Sequence, residues 1–201
     1  MRILLLLLFF TSLQSQSNYN SLQNLFIEWR KFENPPLLNG APDYTKKQFN
    51  KRKSAFNKLQ KKLNNIDTTN WSKSKQVDWQ IIEAEMNGYD FNFRVLKSWI
   101  RDPAFYQTIW MYQSDVPAHE GPVNHALLEY WQYTFPLNKQ AKEIFHRELA
   151  LIPAFLEQAK QNLTGNARDL WVAGINNLRD QTKYLNTIEK TLNEYQDKKK
   201  D

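Results

Sequence analysis

Apolar residues recur at spacings of three and four along most of the chain, which is the pattern of amphipathic helices. The first such run predicts a helix over residues 19–32. Its apolar positions are Leu22, Leu25, Phe26, Trp29 and Phe32. No long stretch alternates apolar and polar residues with a period of two, which argues against an extended sheet.

A second helix is predicted to begin at a capping box formed by Thr45 and Gln48, after a turn-rich linker with Pro35-Pro36 and Asn39-Gly40. The apolar stripe of this helix comprises Phe49, Phe56, Leu59, Leu63 and Ile66. A third, longer helix is predicted to begin near Ser72 or Ser74. Its packing seam comprises Ile82, Met86, Tyr89, Phe93, Leu96 and Ile100.

Asp102 and Pro103 predict the end of the third helix and the start of a fourth, with Asp102 as N-cap and Pro103 at the first helical position. The fourth helix is predicted to extend through Tyr112. Residues 114–122 are predicted to form a loop, and further helices are expected over residues 123–133 and from Asn138 to Leu163.

Pro153 should kink or restart the helix that begins at Asn138. A final long helix is predicted to carry Trp171, Ile175, Leu178, Leu185, Ile188, Leu192 and Tyr195. The pattern as a whole predicts an all-α fold, an array of long amphipathic helices.

The N-terminal segment has the composition of a secretory signal peptide. Arg2 precedes an apolar run over residues 3–10, and small residues follow at Ser15 and Ser17. The run rises only about 12–17 Å as a helix, well short of the roughly 30 Å hydrocarbon core of a bilayer. We therefore expect cleavage after Ser17, export to the periplasm or the extracellular space, and no stable membrane anchor after cleavage. Residues 18–201 would then form a single all-helical domain.

Composition excludes several classes of chemistry. The chain has no Cys, which rules out disulfides, thiolate zinc sites and a cysteine nucleophile. Its 5 Gly form neither a dinucleotide-binding fingerprint nor a phosphate-binding loop. The net charge of +6 is modest, and we expect no nucleic-acid partner.

The sharpest charge feature lies between Asp43 and Asp67, where the chain has basic residues and no acidic one. We interpret these basic residues as the solvated outer face of the second helix. Binding of an anion, a membrane surface or nucleic acid is the alternative. The lysines that project away from the apolar stripe are Lys47, Lys51, Lys58, Lys61 and Lys62.

The histidines do not form a recognisable metal motif. His119 and His125 are six residues apart with Gly121-Pro122 between them, so one helix cannot present both to a zinc ion. His125 and Glu129 are four apart, but two ligands do not make a site.

Glu143 and His146 match one half of a di-iron bundle motif, and the second half is absent. Glu83 and Glu85 are two apart on a helix and point in different directions. The sequence therefore predicts no catalytic, cofactor-binding or metal-ligating residue.

An aromatic segment runs from Phe105 to Tyr112 beside the Pro-rich loop and includes Tyr106, Trp110 and Met111. These side chains are expected to lie in the core. The alternative is that they line a peptide-binding groove.

Two stretches carry a resemblance to a known family. The first runs from Val77-Asp78-Trp79 through Phe93-Arg94 to Trp99-Ile100-Arg101-Asp102-Pro103 and Tyr106. The second runs from Arg147 through Ile152-Pro153 to Leu163, with the string Phe155-Leu156-Glu157-Gln158-Ala159 inside it. Together they resemble the N-terminal part of the domain-of-unknown-function 885 family, which comprises exported bacterial zinc-metallopeptidase-like proteins.

The resemblance implies a fold of many helices around a channel, peptides as substrates, and a zinc-binding HExxH helix in a later part of full-length members. This sequence has no HExxH, so no zinc or catalytic residue is carried over to it. The leading hypothesis is an N-terminal helical portion of such a protein, inactive alone and prone to self-association. A fragment, a truncated gene product and a degenerate relative all fit this hypothesis. The alternative is a self-contained exported helical module that binds peptides or proteins.

Overall fold

The computed structural model describes residues 2–113 and 127–197, and side chains over 18–113 and 127–195. The predicted all-α class is confirmed. The helices are α1 (Arg2–Glu33), α2 (Lys46–Asn64), α3 (Lys73–Phe91), α4 (Ser98–Arg101), α5 (Lys139–Asn162) and α6 (Arg168–Asp197). The strands are β1 (Leu37–Leu38), β2 (Ala41–Pro42), β3 (Ile109–Trp110) and β4 (Leu128–Glu129). Over the described residues, we find no helix with the length and apolar character that crossing a membrane requires.

The chain divides into two compact units. Unit 1 comprises Met1–Pro35 and Lys47–Phe91, and unit 2 comprises Pro36–Lys46 and Asn92–Asp201. The single domain expected over residues 18–201 stays a prediction. Signal cleavage after Ser17 also stays a prediction, although the backbone of α1 is helical from Arg2.

Unit 1 is built on three amphipathic helices whose apolar stripes meet in one core. Helix α1 contributes Trp29, which is fully buried, and α2 contributes the stripe predicted for it. The buried residues of this core are Leu22, Leu25, Trp29, Phe56, Leu59, Leu63, Trp71, Ile82 and Met86. The apolar periodicity of the first two helices was therefore sufficient to identify their buried faces.

The guanidinium of Arg52 closes the C-terminal end of α1. Its Nη2 donates to the carbonyl of Phe32 at 2.6 Å, and its Nη1 donates to the carbonyl of Asn34 at 3.2 Å. The guanidinium also lies 4.4 Å from the centre of the Phe32 ring. The last carbonyls of a helix have no partner within the helix, so Arg52 supplies donors that α1 lacks.

Unit 2 begins with a two-residue hairpin between β1 and β2. Asn39 and Gly40 both have positive φ, 54° and 87°, as the tight turn of a twisted hairpin requires. Helix α5 begins after Asn138, whose side chain accepts from the backbone N–H of Ala141. One core of unit 2 comprises Ile109, Leu128, Phe145, Ile152 and Ile188.

The predicted third helix is shorter than expected. It ends at Phe91, a π-helical turn follows over Asn92–Leu96, and Lys97 then adopts the left-handed region with φ 51°. A π-turn inserts an extra residue, so apolar residues beyond it rotate away from the face they would occupy in a regular helix. The continuous seam from Ile82 to Ile100 was therefore a wrong prediction.

The predicted helix over residues 103–112 was also wrong beyond its first turn. Asp102 caps a short 3₁₀ helix, Pro103–Tyr106, by accepting from the N–H of Ala104 at 2.9 Å. The chain then becomes extended because the Oε1 atom of Gln181 accepts from the backbone N–H and the hydroxyl of Thr108, at 2.6 and 2.7 Å. The N–H of Thr108 thus donates to the Gln181 side chain on α6, and not to a backbone carbonyl of a continuing helix.

One further expectation differs from the structure. Residues 128–129 form strand β4, parallel to β3, and a 3₁₀ turn over Tyr130–Gln132 follows, where a helix was predicted. Helix α5 is continuous through Pro153, so it does not restart there, and a kink at this position stays a prediction. The predicted loop over 114–122, and residues 123–126 of the helix predicted next to it, lie outside the described residues.

Helix α6 buries a face that its apolar residues identify only in part. The predicted Ile188 is buried in the core of unit 2, whereas Ile175 and Leu185 are each 41% exposed. Gly174 and Gln181 share the buried face with Ile188 at spacings of seven residues. Gly174 lies so close to Pro103 that a Cβ placed on it would be 2.7 Å from the Pro103 Cβ. Apolar periodicity missed these two positions because neither carries an apolar side chain.

Candidate functional site

The candidate metal ligands are not assembled into a site in the described part of the chain. His119, Glu120 and His125 lie outside it, and Glu143 and His146 are both exposed on α5. No group of three or more His, Asp or Glu side chains that could hold a metal ion occurs among the described residues. The described residues therefore do not fit a zinc ion.

The carboxylate of Glu85 has a structural setting in unit 1. Its Oε1 accepts from Arg30 Nη2 at 2.7 Å, and its Oε2 accepts from the indole N–H of Trp29 at 3.0 Å. Arg30 also pairs with Glu33 at 2.6 Å. Both Glu85 oxygens are thus used to join α3 to α1.

The aromatic segment is mostly core, as its main interpretation predicted. Phe105, Tyr106 and Ile109 are buried in unit 2, and Trp110 is half-buried. Tyr112 alone among the described members of the segment is largely exposed, at 79%. Of the described segment, only this C-terminal end is therefore largely exposed.

Tyr106 joins the two stretches that carry the predicted resemblance, residues 77–106 and 147–163, which we call the family-like stretches. The Tyr106 hydroxyl donates to the carbonyl of Trp99 at 2.8 Å and accepts from the side-chain amide of Asn162 at 2.8 Å. Asn162 also donates to the carbonyl of Tyr44 at 2.6 Å. We call this set, Tyr44, Trp99, Tyr106 and Asn162, the Tyr106 junction.

A second α5 residue extends the junction toward β2. Gln158 lies one helical turn before Asn162, accepts from the N–H of Tyr44 at 2.9 Å and donates to the carbonyl of Pro42 at 3.0 Å. Both side chains are nearly fully buried. Burying a side-chain amide without a hydrogen-bond partner costs free energy. The hydrogen bonds of Gln158 and Asn162 therefore hold β2 and the residues after it in one position on α5.

The Tyr106 phenol is not suited to proton transfer near neutral pH. Burial raises the pKa of Tyr106 far above its usual value, and the hydrogen bond from Asn162 offsets this only in part. The pKa of Asp102 is also raised by burial, while the N–H of Ala104 lowers it. The hydrogen bonds of the junction join Tyr44, Trp99, Tyr106 and Asn162 within unit 2.

The most prominent surface feature of unit 1 is an apolar face on α3 that the sequence reasoning missed. Its residues are Val77, Ile81, Ala84, Gly88 and Phe91, and we call them the α3 stripe. Their spacing of four, three, four and three places them on one side of the helix. Val77, Ile81 and Phe91 are each about half exposed, at 49%, 51% and 49%.

The α3 stripe has a flat centre. Gly88 has open space around it, with nothing within 4 Å of a Cβ built on it, and Ala84 is exposed. Small residues flanked by larger apolar ones allow a second helix to approach closely. The spacing is present in the sequence, but the apolar residues on the opposite side of α3, such as Ile82 and Met86, were the ones interpreted as its packing face.

The outer face of α2 is a second surface feature of unit 1. Lys47, Lys51, Lys58 and Lys61 lie along it, separated by four, seven and three residues, and we call them the basic ridge. All four are exposed. Within the described part of the chain, none of their side-chain ammonium groups forms an ion pair or a hydrogen bond. Lys62, by contrast, pairs with Glu28 at 2.6 Å.

An open depression of about 350 Å³ lies between α1 and α2. Its lining combines Leu25 and Ile66 with polar side chains, and the Glu28–Lys62 pair is part of it. The depression is open to solvent, whereas small-molecule sites enclose most of the ligand surface.

We compared the chain with known proteins. No protein-family model, curated protein or solved structure matches it.

Proposed function

We propose that the chain is the N-terminal helical portion of an exported metallopeptidase-like protein, and that other polypeptide carries the zinc site. In this proposal the α3 stripe is the face on which that polypeptide packs. The chain itself supplies a helical wall beside the substrate channel and no catalytic group.

The observation that carries this proposal is the α3 stripe. It lies on α3, which contains the beginning of the first family-like stretch, and it exposes a line of apolar residues over about four helical turns. A contiguous apolar surface of this kind on a soluble unit marks a site of contact with protein or membrane. The small residues at its centre favour a helix as the contacting element.

The Tyr106 junction supports the proposal from unit 2. The distinctive residues of the two family-like stretches have structural roles in unit 2. Asp102 caps a helical turn and Pro103 packs closely on Gly174. Tyr106, Gln158 and Asn162 form buried hydrogen bonds. These are roles in building a scaffold. They are compatible with a chain that shapes a channel while another part performs the chemistry.

The test uses the chromosomal copy of the gene in the source organism, so that the protein is made at its natural length. Ile81→Glu places a charge in the middle of the α3 stripe. Gln23→Glu places the same charge at an exposed position on α1, away from the stripe, and serves as the matched control. The purified proteins are assayed for bound zinc and for zinc-dependent peptide hydrolysis.

We expect the wild-type and Gln23→Glu proteins to carry zinc and to hydrolyse peptides, and the Ile81→Glu protein to lose much of both. Wild-type protein that holds a partner but has neither zinc nor peptidase activity would contradict the proposal in favour of a peptide- or protein-binding module. Equal activity in the two variants would show that the zinc-binding polypeptide does not pack on the α3 stripe.

A further inference from the structure

We propose that the basic ridge on α2 binds an anionic lipid surface. This inference is independent of the metallopeptidase proposal, since it rests on a different helix and a different chemistry. It commits to a membrane surface that carries negatively charged headgroups, contacted from outside without insertion.

The first argument is the one-sided charge of α2. Ordinary protein surfaces intersperse charges of both signs, but α2 from Lys46 to Asn64 has no acidic residue. The like-charged pair Lys47 and Lys51, one turn apart, disfavours the helix. Lys47 also lies near the N-terminal end, where the helix dipole disfavours a cation. A sequence selected for the stability of α2 alone would place acids at these positions.

The second argument is that the ridge is available. Arg52, the single arginine of α2, is engaged with the carbonyls at the end of α1, and Lys62 is paired with Glu28. The four ridge lysines have no such engagement within the described residues and are exposed. They are therefore free to meet an external anion.

The third argument concerns shape. The ridge extends about 21 Å along a straight helix, so its four ammonium groups can meet a flat surface together. The apolar side of α2, with Phe56, Leu59 and Leu63, is buried in the core of unit 1. Insertion of α2 as an interfacial helix would require that side to be exposed, so the contact is electrostatic.

The side chains around the ridge favour lipid over nucleic acid. The exposed neighbours on α2 are Asn50, Ser54, Ala55 and Asn57, with no aromatic ring on which a base could stack. No arginine on this face offers the bidentate fork that recognises phosphates and bases. Lysines act as point charges, which suits a fluid layer of headgroups.

The experiment measures co-sedimentation of the full chain with vesicles of phosphatidylcholine alone and of phosphatidylcholine with about 30 mol% phosphatidylglycerol. The ridge variant changes Lys47, Lys51, Lys58 and Lys61 to Gln. The matched control changes four exposed lysines elsewhere, Lys31, Lys139, Lys142 and Lys190, to Gln. Both variants have the same net charge, and the apolar run over residues 3–10 is present in each, so its contribution appears equally with neutral vesicles. Circular dichroism verifies that both variants are folded.

We expect the wild-type and control proteins to bind the anionic vesicles, and the ridge variant to bind them up to about a thousandfold more weakly. Binding should also weaken between about 50 mM and about 500 mM salt, because salt screens exposed charges. Equal losses in the two variants would overturn the proposal. So would equal wild-type binding to neutral and anionic vesicles. If the ridge variant instead lost affinity for RNA or polyglutamate while its vesicle binding was unchanged, the partner would be an acidic polymer and not a membrane.

Discussion

The side-chain amide of Asn162 donates a hydrogen bond to the hydroxyl of Tyr106 across 2.8 Å, joining α5 to the 3₁₀ turn 56 residues earlier in the chain. The same hydroxyl donates to the carbonyl of Trp99. One phenol therefore links the two stretches on which the family resemblance is based. Because Tyr106 has no exposed surface, water cannot replace either partner.

Tyr106→Phe should lower the free energy of unfolding of unit 2 by about 1–3 kcal/mol. The substitution keeps the ring but removes the hydroxyl that donates to the carbonyl of Trp99 and accepts from the buried amide of Asn162. Urea denaturation followed by tryptophan fluorescence measures the effect. Tyr112→Phe is the control, because its side chain is exposed and should change stability by less than about 0.5 kcal/mol. Equal effects at the two positions would contradict the role given to the junction.

The stability of the protein should depend on the Tyr106 hydroxyl most strongly below pH 10. Burial raises the folded-state pKa of Tyr106 above its ordinary value of 10.0, although the hydrogen bond from Asn162 lowers it. A raised pKa means that the contribution is complete below the unfolded value and is lost as the pH rises toward the folded value.

The free energies of unfolding of the wild type and Tyr106→Phe should therefore converge as the pH is raised above 10. Burial and the hydrogen bond to Glu148 also raise the pKa of Tyr133, but Tyr133 is present in both proteins and cancels in the comparison. Denaturation midpoints measured from pH 8 to pH 11 test the prediction. A constant difference over that range would show that the Tyr106 phenol does not titrate as its burial implies.

Two helical glycines should respond in opposite directions to the same substitution. Gly174→Ala brings a methyl group within 2.7 to 2.9 Å of three Pro103 atoms and should destabilise unit 2 by about 1–3 kcal/mol. Gly88→Ala meets nothing within 4 Å and should stabilise α3 by about 0.5–1 kcal/mol, because alanine loses less backbone entropy. Thermal melts of both variants decide the matter. A stabilised Gly174→Ala protein would mean that α6 is not packed on Pro103 as described.

Arg52→Gln should lower the stability of unit 1 by about 1–3 kcal/mol, since two carbonyls at the end of α1 lose a charged donor. The neighbouring Lys53→Gln removes the same charge from an exposed position with no ion pair among the described residues. It should change stability by less than about 0.5 kcal/mol. Hydrogen exchange of the amides near Phe32 locates the effect. Similar protection in the two variants would argue against a capping role for Arg52.

Apolar periodicity was sufficient where the buried face of a helix is itself apolar. Helix α2 illustrates this, because Phe49, Phe56, Leu59 and Leu63 are buried as predicted. On α6 it identified the buried Ile188 but not Gly174 and Gln181, which lie on the same inner face. A glycine required by close approach and a glutamine that binds backbone groups have no apolar signature.

Local sequence also could not predict the extended chain after Tyr106. Asp102 and Pro103 correctly indicated a helical start, but Gln181 captures Thr108 from a position 73 residues away. A hydrogen bond to a residue distant in sequence can thus compete with the local helical hydrogen bond, and the outcome determines whether the turn continues as a helix. The α3 stripe was missed for a different reason, namely that α3 has two apolar sides and only one of them belongs to the core of unit 1.

The proposal that this chain forms part of a metallopeptidase-like protein is tested most directly by the intact mass and zinc content of the native protein isolated from its source. The account predicts an assembly or a polypeptide well above 24.0 kDa, with stoichiometric zinc on the part outside these residues. A zinc-free product with the mass of residues 18–201 or less, bound to no other polypeptide, would contradict it.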